Sequence, residues 1–269
     1  MLRLPAVSGR FYPSDPGELT SLVEEFAPRD PLHPPQTAKA CLVPHAGYVY
    51  SGHVAGAVFA RIVFPKRILV LGVRHQPRGE PAAILSSGAW RTPLGDAPID
   101  SELAARCKAA CPLLKEDALA HRDEHSLEVQ IPFLQVLAKE FTFVPIALGM
   151  IRLETLVAVG EAIGNVLKES REEILLVTTT DLNHYEDDAT TRVKDRKAVE
   201  QLLEMNPRGL YDVCRNEEIS MCGLGPSVAM LTALRVLGGA SSELVRYATS
   251  ADVSGDQSHV VGYAGILYR

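Results

Sequence analysis

The stretch Arg67–His75 reads RILVLGVRH, and it is the part of the sequence that decides the fold class. Residues 68–71 are apolar without interruption, whereas a strand with one face in water alternates polar and apolar residues. An unbroken run of this kind is typical of a strand that is covered on both faces in a parallel sheet. We therefore predict a buried strand at Arg67–Leu71, with a glycine and a histidine where it ends.

Similar apolar runs recur on both sides of this stretch. They predict further strands, the last of which contains two glycines: Ala40–Val43, Ala82–Leu85, Phe141–Leu148, Ile174–Thr178 and Val260–Tyr268. The spacing of apolar residues predicts helices at Pro16–Phe26 and at residues 52–63, 101–110, 126–139, 153–168, 190–204 and 226–237. Strands that alternate with helices along one chain predict an α/β fold, with helices on both faces of the sheet.

The composition is that of a folded protein, with 269 residues of which 46% are hydrophobic and 22% charged. The formal net charge of −6, without basic blocks, excludes the charge pattern of a nucleic-acid-binding protein. No apolar run approaches the roughly 18 residues that a membrane span needs. The odd number of cysteines, five, argues against a disulfide framework. Because no linker or repeat divides the sequence, we predict one domain over residues 1–269, located in the cytoplasm.

Polar side chains follow three of the predicted strands at the point where each strand ends. His45 follows the first strand, His75 the second, and Asp181 with His184 the fifth. Sites in open α/β sheets collect at the carboxyl ends of the strands, so we expect these side chains to lie close together. A carboxylate near an imidazole can fix its tautomer and raise its basicity, which suits a general base.

Cys222 lies in the segment SMCGLGPS, immediately before an apolar helix. A thiol near a helix N-terminus has its thiolate favoured, which makes this cysteine the best placed to react or to bind a metal; a structural cysteine is the other interpretation. Together with His45 and His75 it would form an open three-ligand set, with positions left for water, oxygen or substrate. Copper(I), zinc and iron all accept such ligands, so the ligand types do not choose among them.

The segment His121–Glu128 reads HRDEHSLE and holds two histidines four residues apart. It does not match the zinc-protease motif HExxH, because no glutamate follows the first histidine directly. We interpret it as the beginning of a helix. His125 and Glu128 would then face the site as substrate contacts rather than as metal ligands.

These motifs together resemble the Memo family of proteins. The resemblance runs from residue 3 to the last predicted strand, and the segments that carry it are Pro5–Pro13 (PAVSGRFYP), Pro44–Gly52 (PHAGYVYSG), Thr92–Gly95 (TPLG), His121–Glu128, Thr180–Asp181 with His184–Tyr185, and Met221–Gly223 ahead of a proline. Members of this family resemble the class III extradiol dioxygenases in fold. The resemblance therefore implies a single three-layer α/β/α sandwich with a mostly parallel mixed sheet.

The resemblance also implies the roles of individual residues. His45, His75 and Cys222 take the positions of the metal ligands, and Asp181 and His184 match two further residues of the site. The dioxygenases have a carboxylate where this chain has the cysteine, so ring cleavage is not implied. The family is linked to redox chemistry with iron or copper, and its microbial members often occur with an AMMECR1-like protein and a radical SAM protein, which are the implied partners.

One segment departs from the family pattern. The family usually has Gly-Pro and then Asn or Ser before the second histidine, whereas this chain reads GVRH at Gly72–His75. The charge of Arg74 opposes a metal ion at His75 unless its side chain turns away, or else it holds an anionic substrate. We expect Tyr48 and Glu128 to contact the substrate as well.

Three functions are consistent with the sequence. In the first, a metal-dependent enzyme of redox or oxygenase type acts on a small molecule, with Asp181 orienting His184 as general acid or base and His125 near the substrate. In the second, a non-catalytic protein uses the same pocket to bind a peptide or a partner. In the third, a hydrolase uses Cys222 as nucleophile and His184 as base.

Overall fold

A computed structural model describes residues 1–138, 140–149 and 152–269 of the chain. Its strands, in chain order, are β1 (Leu2–Arg3), β2 (Ala40–Val43), β3 (Arg67–Val73), β4 (Ala82–Ile84), β5 (Ala89–Thr92), β6 (Gly95–Pro98), β7 (Lys115–Glu116), β8 (Thr142–Leu148), β9 (Ile174–Thr179), β10 (His184–Glu186), β11 (Ser242–Thr249) and β12 (Val260–Tyr268). Its helices are α1 (Pro16–Phe26), α2 (Tyr48–Phe59), α3 (Ser101–Ala110), α4 (Ala118–Arg122), α5 (Ile131–Leu137), α6 (Leu153–Lys168), α7 (Asp188–Leu203), α8 (Pro207–Asn216), α9 (Leu224–Val236) and α10 (Ala251–Ser254), and a 3-10 turn spans Glu128–Gln130.

The main sheet has the strand order β10-β12-β2-β9-β3-β8-β4-β7, with β11 also paired to β12. Its four central strands, β2, β9, β3 and β8, are parallel to one another. Antiparallel pairs join them on each side, β12 to β2 and β4 to β8. The predicted α/β fold with a mostly parallel mixed sheet is confirmed.

Both faces of β3 are covered, which explains its unbroken apolar run. Leu69 and Leu71 belong to one hydrophobic cluster, which also contains residues of α3, α6, α7, α8 and α9. Ile68 and Val70 belong to a second cluster on the opposite face, with residues of α1, α2 and α5. Successive side chains of a strand point to opposite faces, so each cluster lies between the sheet and one layer of helices. The sheet and the two helical layers form the three layers of the sandwich.

Most predicted elements are present, with differences at their ends. The helix predicted at 52–63 spans Tyr48–Phe59 instead; it begins after Gly47, which has no capping side chain, so no capping residue marks its start in the sequence. The segment predicted as one helix at 126–139 contains the 3-10 turn and then α5, and its last residue lies outside the described residues. Helix α8 and strand β11 were not predicted.

A second, three-stranded sheet was also not predicted. It has the order β1-β5-β6, and its strands are two to four residues long. It docks the beginning of the chain, since Arg3 lies opposite Trp90 in the parallel pair of β1 and β5. Across the ranges that the structure describes, none of the helices is long and apolar enough to cross a membrane.

Candidate metal centre

The candidate site lies at the carboxyl edge of the central strands. His45 follows β2, His75 follows β3 and Asp181 follows β9, and these three strands are neighbours in the order β2-β9-β3. The register pairs Val43 with Thr179, so the residues beyond the two strand ends leave the sheet side by side. The prediction that polar residues after separate strands lie close together is confirmed for these elements.

Three imidazoles form the centre of the site. The ring centroids of His45 and His75 are 5.2 Å apart, those of His45 and His125 5.5 Å, and those of His75 and His125 4.5 Å. One ring nitrogen from each histidine lies within 4.8 Å of the others, close enough for a metal ion. His45 is buried, His125 is partly exposed, and His75 is the most exposed of the three. His125, predicted as a substrate contact, thus belongs to the same cluster as the two predicted ligands.

Glu124 fixes the position and the tautomer of His75. Its carboxylate accepts hydrogen bonds from the backbone N–H of His75 at 2.7 Å and from Nδ1 of the same ring at 2.9 Å. It also accepts the N–H of Ser126 at 2.8 Å and lies 3.7 Å from Nδ1 of His125. Burial raises the pKa of this carboxyl, but the bonds and charges of His75 and His125 outweigh it and lower the pKa to about 2. The charge therefore persists, and the Nε2 of His75 is left free.

Thr179 and Gln130 orient the imidazole of His45. The Nδ1 of His45 lies 2.8 Å from the hydroxyl oxygen of Thr179, and the amide of Gln130 donates to the same oxygen at 3.1 Å. The Gln130 amide also donates to the backbone oxygen of Pro44 at 2.9 Å, which holds the turn before the histidine. The Nε2 of His45 therefore points toward the cluster.

Cys222 lies directly against this nitrogen. Its Sγ is 3.1 Å from Nε2 of His45 and accepts the backbone N–H of Asp181 at 3.3 Å. The expectation of a favoured thiolate is wrong for the protein without a metal. Burial and the charge of Asp181 raise the pKa of the Cys222 thiol well above its usual range, although hydrogen bonds to the sulfur lower it.

Asp181 and His184 are both near the cluster, but they do not bond each other. A carboxylate oxygen of Asp181 accepts the backbone N–H of His45 at 2.8 Å. Burial raises the pKa of Asp181, although that bond lowers it. The backbone N–H of His184 donates to Ser220 Oγ at 2.8 Å, and its Nδ1 is buried without a hydrogen-bond partner among the described residues. Asp181 thus holds His45, and no hydrogen bond between it and the His184 ring is found in the described ranges.

Glu128 does not face the site as a free group. Its side chain is fully buried, forms an ion pair with Arg3 at 2.5 Å and accepts the hydroxyl of Tyr12 at 2.6 Å. It also accepts the backbone N–H groups of Ala6 at 2.8 Å and Val7 at 3.0 Å. Because its lone pairs are occupied by the beginning of the chain, this structural role replaces the predicted substrate contact.

Tyr48 and Arg74 also differ from their predicted roles. The Tyr48 side chain is buried against Phe133 with ring centroids 4.8 Å apart, and its hydroxyl donates to the backbone oxygen of Val129 at 2.7 Å. The guanidinium of Arg74 donates to the backbone oxygen of Gly79 at 3.1 Å and so turns toward that loop. Tyr48 is therefore part of the core, and the charge of Arg74 is drawn toward the loop carbonyls.

A lowered pKa keeps His45 and His125 in the neutral form that binds metals. Burial and the nearby His75 lower the pKa of His45 well below its usual range. Burial and the nearby His45 lower the pKa of His125 to about 4. The Nδ1 atoms of His45 and His75 are held by hydrogen bonds, as they are in histidines around bound metal ions, so the residues present fit a metal.

Residues 3–267 of the chain match the family model described as Memo-like protein. MEMO1 family proteins of Methanopyrus kandleri and Aquifex aeolicus are 42% and 39% identical to the chain, with at least 99% of both chains covered in each comparison. The MEMO1 family protein of Methanocaldococcus jannaschii is 38% identical over 99% of this chain and 98% of its own. A crystal structure of an uncharacterized protein from Escherichia coli K12 has a TM-score of 0.55 at 14% identity, covers 83% of this chain and 98% of its own, and is similar in fold alone.

Proposed function

The chain belongs to the family of Memo-like proteins, and we propose that it holds one iron or copper ion at the imidazole cluster and uses it for redox or oxygenase-type chemistry. The observation that carries the proposal is the orientation of two rings. Glu124 engages Nδ1 of His75 and Thr179 engages Nδ1 of His45, so both Nε2 atoms are left for a metal. Zinc is the alternative ion, because the same donors suit it.

The proposed ligands are His45, His75 and Cys222. Metal–nitrogen and metal–sulfur bonds of 2.0–2.3 Å place two donors of one tetrahedral ion about 3.5 Å apart. The 3.1 Å between Cys222 Sγ and His45 Nε2 is close to that separation. Binding would displace the thiol proton, since cysteine binds metals as the thiolate. His125, stacked on His75, would lie beside the bound ion.

A bound iron or copper ion would supply electron transfer and the polarisation of a coordinated substrate. The chain would supply the handling of protons. The Nδ1 of His184 is buried and free of hydrogen bonds within the described part of the chain, so it can take or give a proton as general acid or base. Asp181 would act through His45, whose backbone it holds, and His125 would position the substrate.

The substrate is proposed to be a small molecule or a peptide end, since His75 and His125 are accessible to solvent while His45 is buried. An AMMECR1-like protein and a radical SAM protein are proposed as partners on the family resemblance alone. A cytoplasmic location stays a prediction. It is supported by the five free cysteines, because a reducing compartment keeps thiols from forming disulfides.

Metal analysis of the protein purified without added metal tests this proposal. We expect about one iron or copper ion per chain, lost in H75A and C222S and retained in H259A, which alters an exposed histidine. Loss in H125Q as well would add His125 to the ligands. Protein without iron or copper, with no uptake of either ion by the reduced wild type, would contradict the proposal.

A second function is favoured by one observation. The Cys222 thiol and His45 Nε2 are within hydrogen-bond distance of each other, so these two donors are paired without any ion. A non-catalytic protein that binds a peptide or partner in the same pocket would be built in this way. Turnover of small redox substrates by metal-loaded protein, and no turnover by C222S, would exclude this second function.

A further inference from the structure

The first residues of the chain lie across the segments that carry the histidines. We call residues 3–12 the N-terminal strap. The strap begins at β1, where Arg3 pairs with Trp90 of β5, and its far end reaches the turn after β2. Nothing in the proposed metal chemistry uses these residues, yet they include two buried polar side chains, Arg3 and Tyr12.

Arg3 binds the segment His121–Glu128 through hydrogen bonds and an ion pair. Its Nε donates to the backbone oxygen of His121 at 2.8 Å and its Nη2 to the backbone oxygen of Glu124 at 2.7 Å. Its Nη1 forms the ion pair with Glu128 at 2.5 Å, and the guanidinium lies 4.1 Å from the ring centre of Trp90. A planar guanidinium can make three such directed bonds at once, whereas a lysine ammonium cannot reproduce the fork.

The segment that Arg3 holds is the one that orients the imidazoles. It contains His125 itself, and the carboxylate of Glu124 bonds the backbone and the ring of His75. The hydroxyl of Ser126 accepts the backbone N–H of Val73, at the end of β3, at 3.0 Å. A shift of this segment would therefore displace two of the three rings together.

The other end of the strap reaches the third ring. The backbone oxygen of Phe11 accepts the N–H of Tyr48 at 2.7 Å, in the turn that follows His45. The Phe11 ring packs against His125 with centroids 4.9 Å apart. Next to it, the Tyr12 hydroxyl donates to Glu128. The strap thus bonds the turn after His45 and the segment of His125 at the same time.

We propose that the N-terminal strap is the positioning element of the metal centre, and that the buried Arg3–Glu128 pair is the contact through which it sets the distance between the imidazoles. The inference rests on the proposed function only in naming a metal as what the imidazoles hold. Arg3 and Glu128 touch neither the metal nor the substrate, so they are positioning residues. Glu128, predicted from the sequence as a substrate contact, acts in this way through Arg3 and the strap.

Two variants of Arg3 and one matched control test the proposal. R3M removes the fork and the charge, and R3K keeps the charge alone. R91M is the control, because Arg91 lies on the same strand as Trp90 and its ion pair with Asp96 is exposed. Because Arg3 lies against Trp90, the single tryptophan of the chain, far-ultraviolet circular dichroism rather than tryptophan fluorescence reports whether each variant is folded.

The first measurement is the binding of Co²⁺ to the metal-free protein without oxygen, followed by the visible absorption of the ion. We expect R3M to weaken Co²⁺ binding about 10- to 100-fold and to change the absorption spectrum, R3K to lie between R3M and the wild type, and R91M to match the wild type. A merely structural pair would lower stability and leave the affinity and spectrum of the folded fraction unchanged. That result, in folded R3M, would overturn the proposal.

The second measurement needs no metal and so separates this proposal from the proposed function. Hydrogen exchange of the His75 and Ser126 amides, both of which donate to Glu124, should become faster in R3M by more than that of the Ile163 amide of α6, which reports the change in global stability. If the wild type binds no metal, the proposed function fails, and this exchange still decides whether the strap positions the rings. Unchanged exchange at both amides in R3M would contradict the proposal.

Discussion

Glu124 bonds His75 twice, through the backbone N–H at 2.7 Å and through Nδ1 of the ring at 2.9 Å. One carboxylate thereby fixes both the main chain at the end of β3 and the face that the ring presents. A ring nitrogen that bonds a carboxylate carries the proton, so the opposite nitrogen offers its lone pair to the centre. The carboxylate is fully buried, and bonds from the protein replace the water it lacks.

We expect E124Q to weaken metal binding about 10- to 100-fold without unfolding the protein. The amide keeps the size of the side chain but loses the charge that holds the proton on Nδ1 of His75. Competition for Co²⁺ against a chelator measures the change. E116Q is the control, because Glu116 also accepts a backbone N–H and a hydroxyl, both from Ser86, but in an exposed position away from the rings. Equal affinities of E124Q and E116Q would contradict this role.

Thr179 gives a second prediction, for stability. In T179V the Nδ1 of His45 and the amide of Gln130 both lose a buried partner, so we expect the free energy of unfolding to fall by about 1–3 kcal/mol. T232V is the control, since the buried Thr232 hydroxyl bonds the backbone oxygen of Val228 in its own helix, away from the imidazoles. Urea unfolding of both variants measures the difference. A loss no greater in T179V than in T232V would refute the orienting role of Thr179.

The sequence predicts those strands best that are covered on both faces. The run at residues 68–71 is apolar throughout because two helical layers bury it, and such an unbroken apolar run can be recognised in the sequence. Strand β11 was missed because only its last two residues are buried and its outward side chains are charged or exposed. For α8 a signal was present, since Asn206 caps it and Pro207 takes its first position, but the short apolar pattern did not suggest a helix.

The site shows the same division. The strand-end residues His45, His75 and Asp181 could be predicted to converge, because parallel strands bring their carboxyl ends to one edge. The partners of Glu124 and Glu128 could not, because each is defined by a contact 49 to 125 residues away in sequence. From the sequence alone, Glu124 in the segment RDEHS is interpreted as a residue at the beginning of a helix, and only the fold shows its contact with His75.

Gly223 gives a third prediction, at the turn that presents Cys222. A Cβ at this position would lie 2.3 Å from Cβ of Thr180 and 2.7 Å from the backbone oxygen of Thr179. We expect G223A to move the turn away from β9, to cost about 1–3 kcal/mol of stability and to lower the metal content. G225A is the control, because its nearest atoms would be 3.2 Å away. Normal metal content in G223A would mean that the position of Cys222 does not matter for binding.

Asp195 offers a test by pH at a distance from the imidazoles. It lies buried on α7, where its carboxylate accepts the backbone N–H of Asn183 at 2.9 Å and the hydroxyl of Tyr247 at 2.7 Å. Burial raises the pKa of this carboxyl to about 6, although the two hydrogen bonds lower it. In the unfolded chain an aspartate has a pKa near 3.9, so the folded state binds the proton more tightly.

A raised carboxyl pKa makes stability fall as the pH rises. The contribution of Asp195 is fully present below about pH 4 and is lost as the pH rises through about 6. Because D195N cannot titrate, we expect its free energy of unfolding to gain up to about 3 kcal/mol relative to the wild type between pH 4 and pH 7. Y247F should move the transition of the wild type to higher pH, because it removes a bond that lowers this pKa. Urea unfolding across this range measures both effects, and parallel stability curves for D195N and the wild type would show that the buried carboxyl does not titrate there.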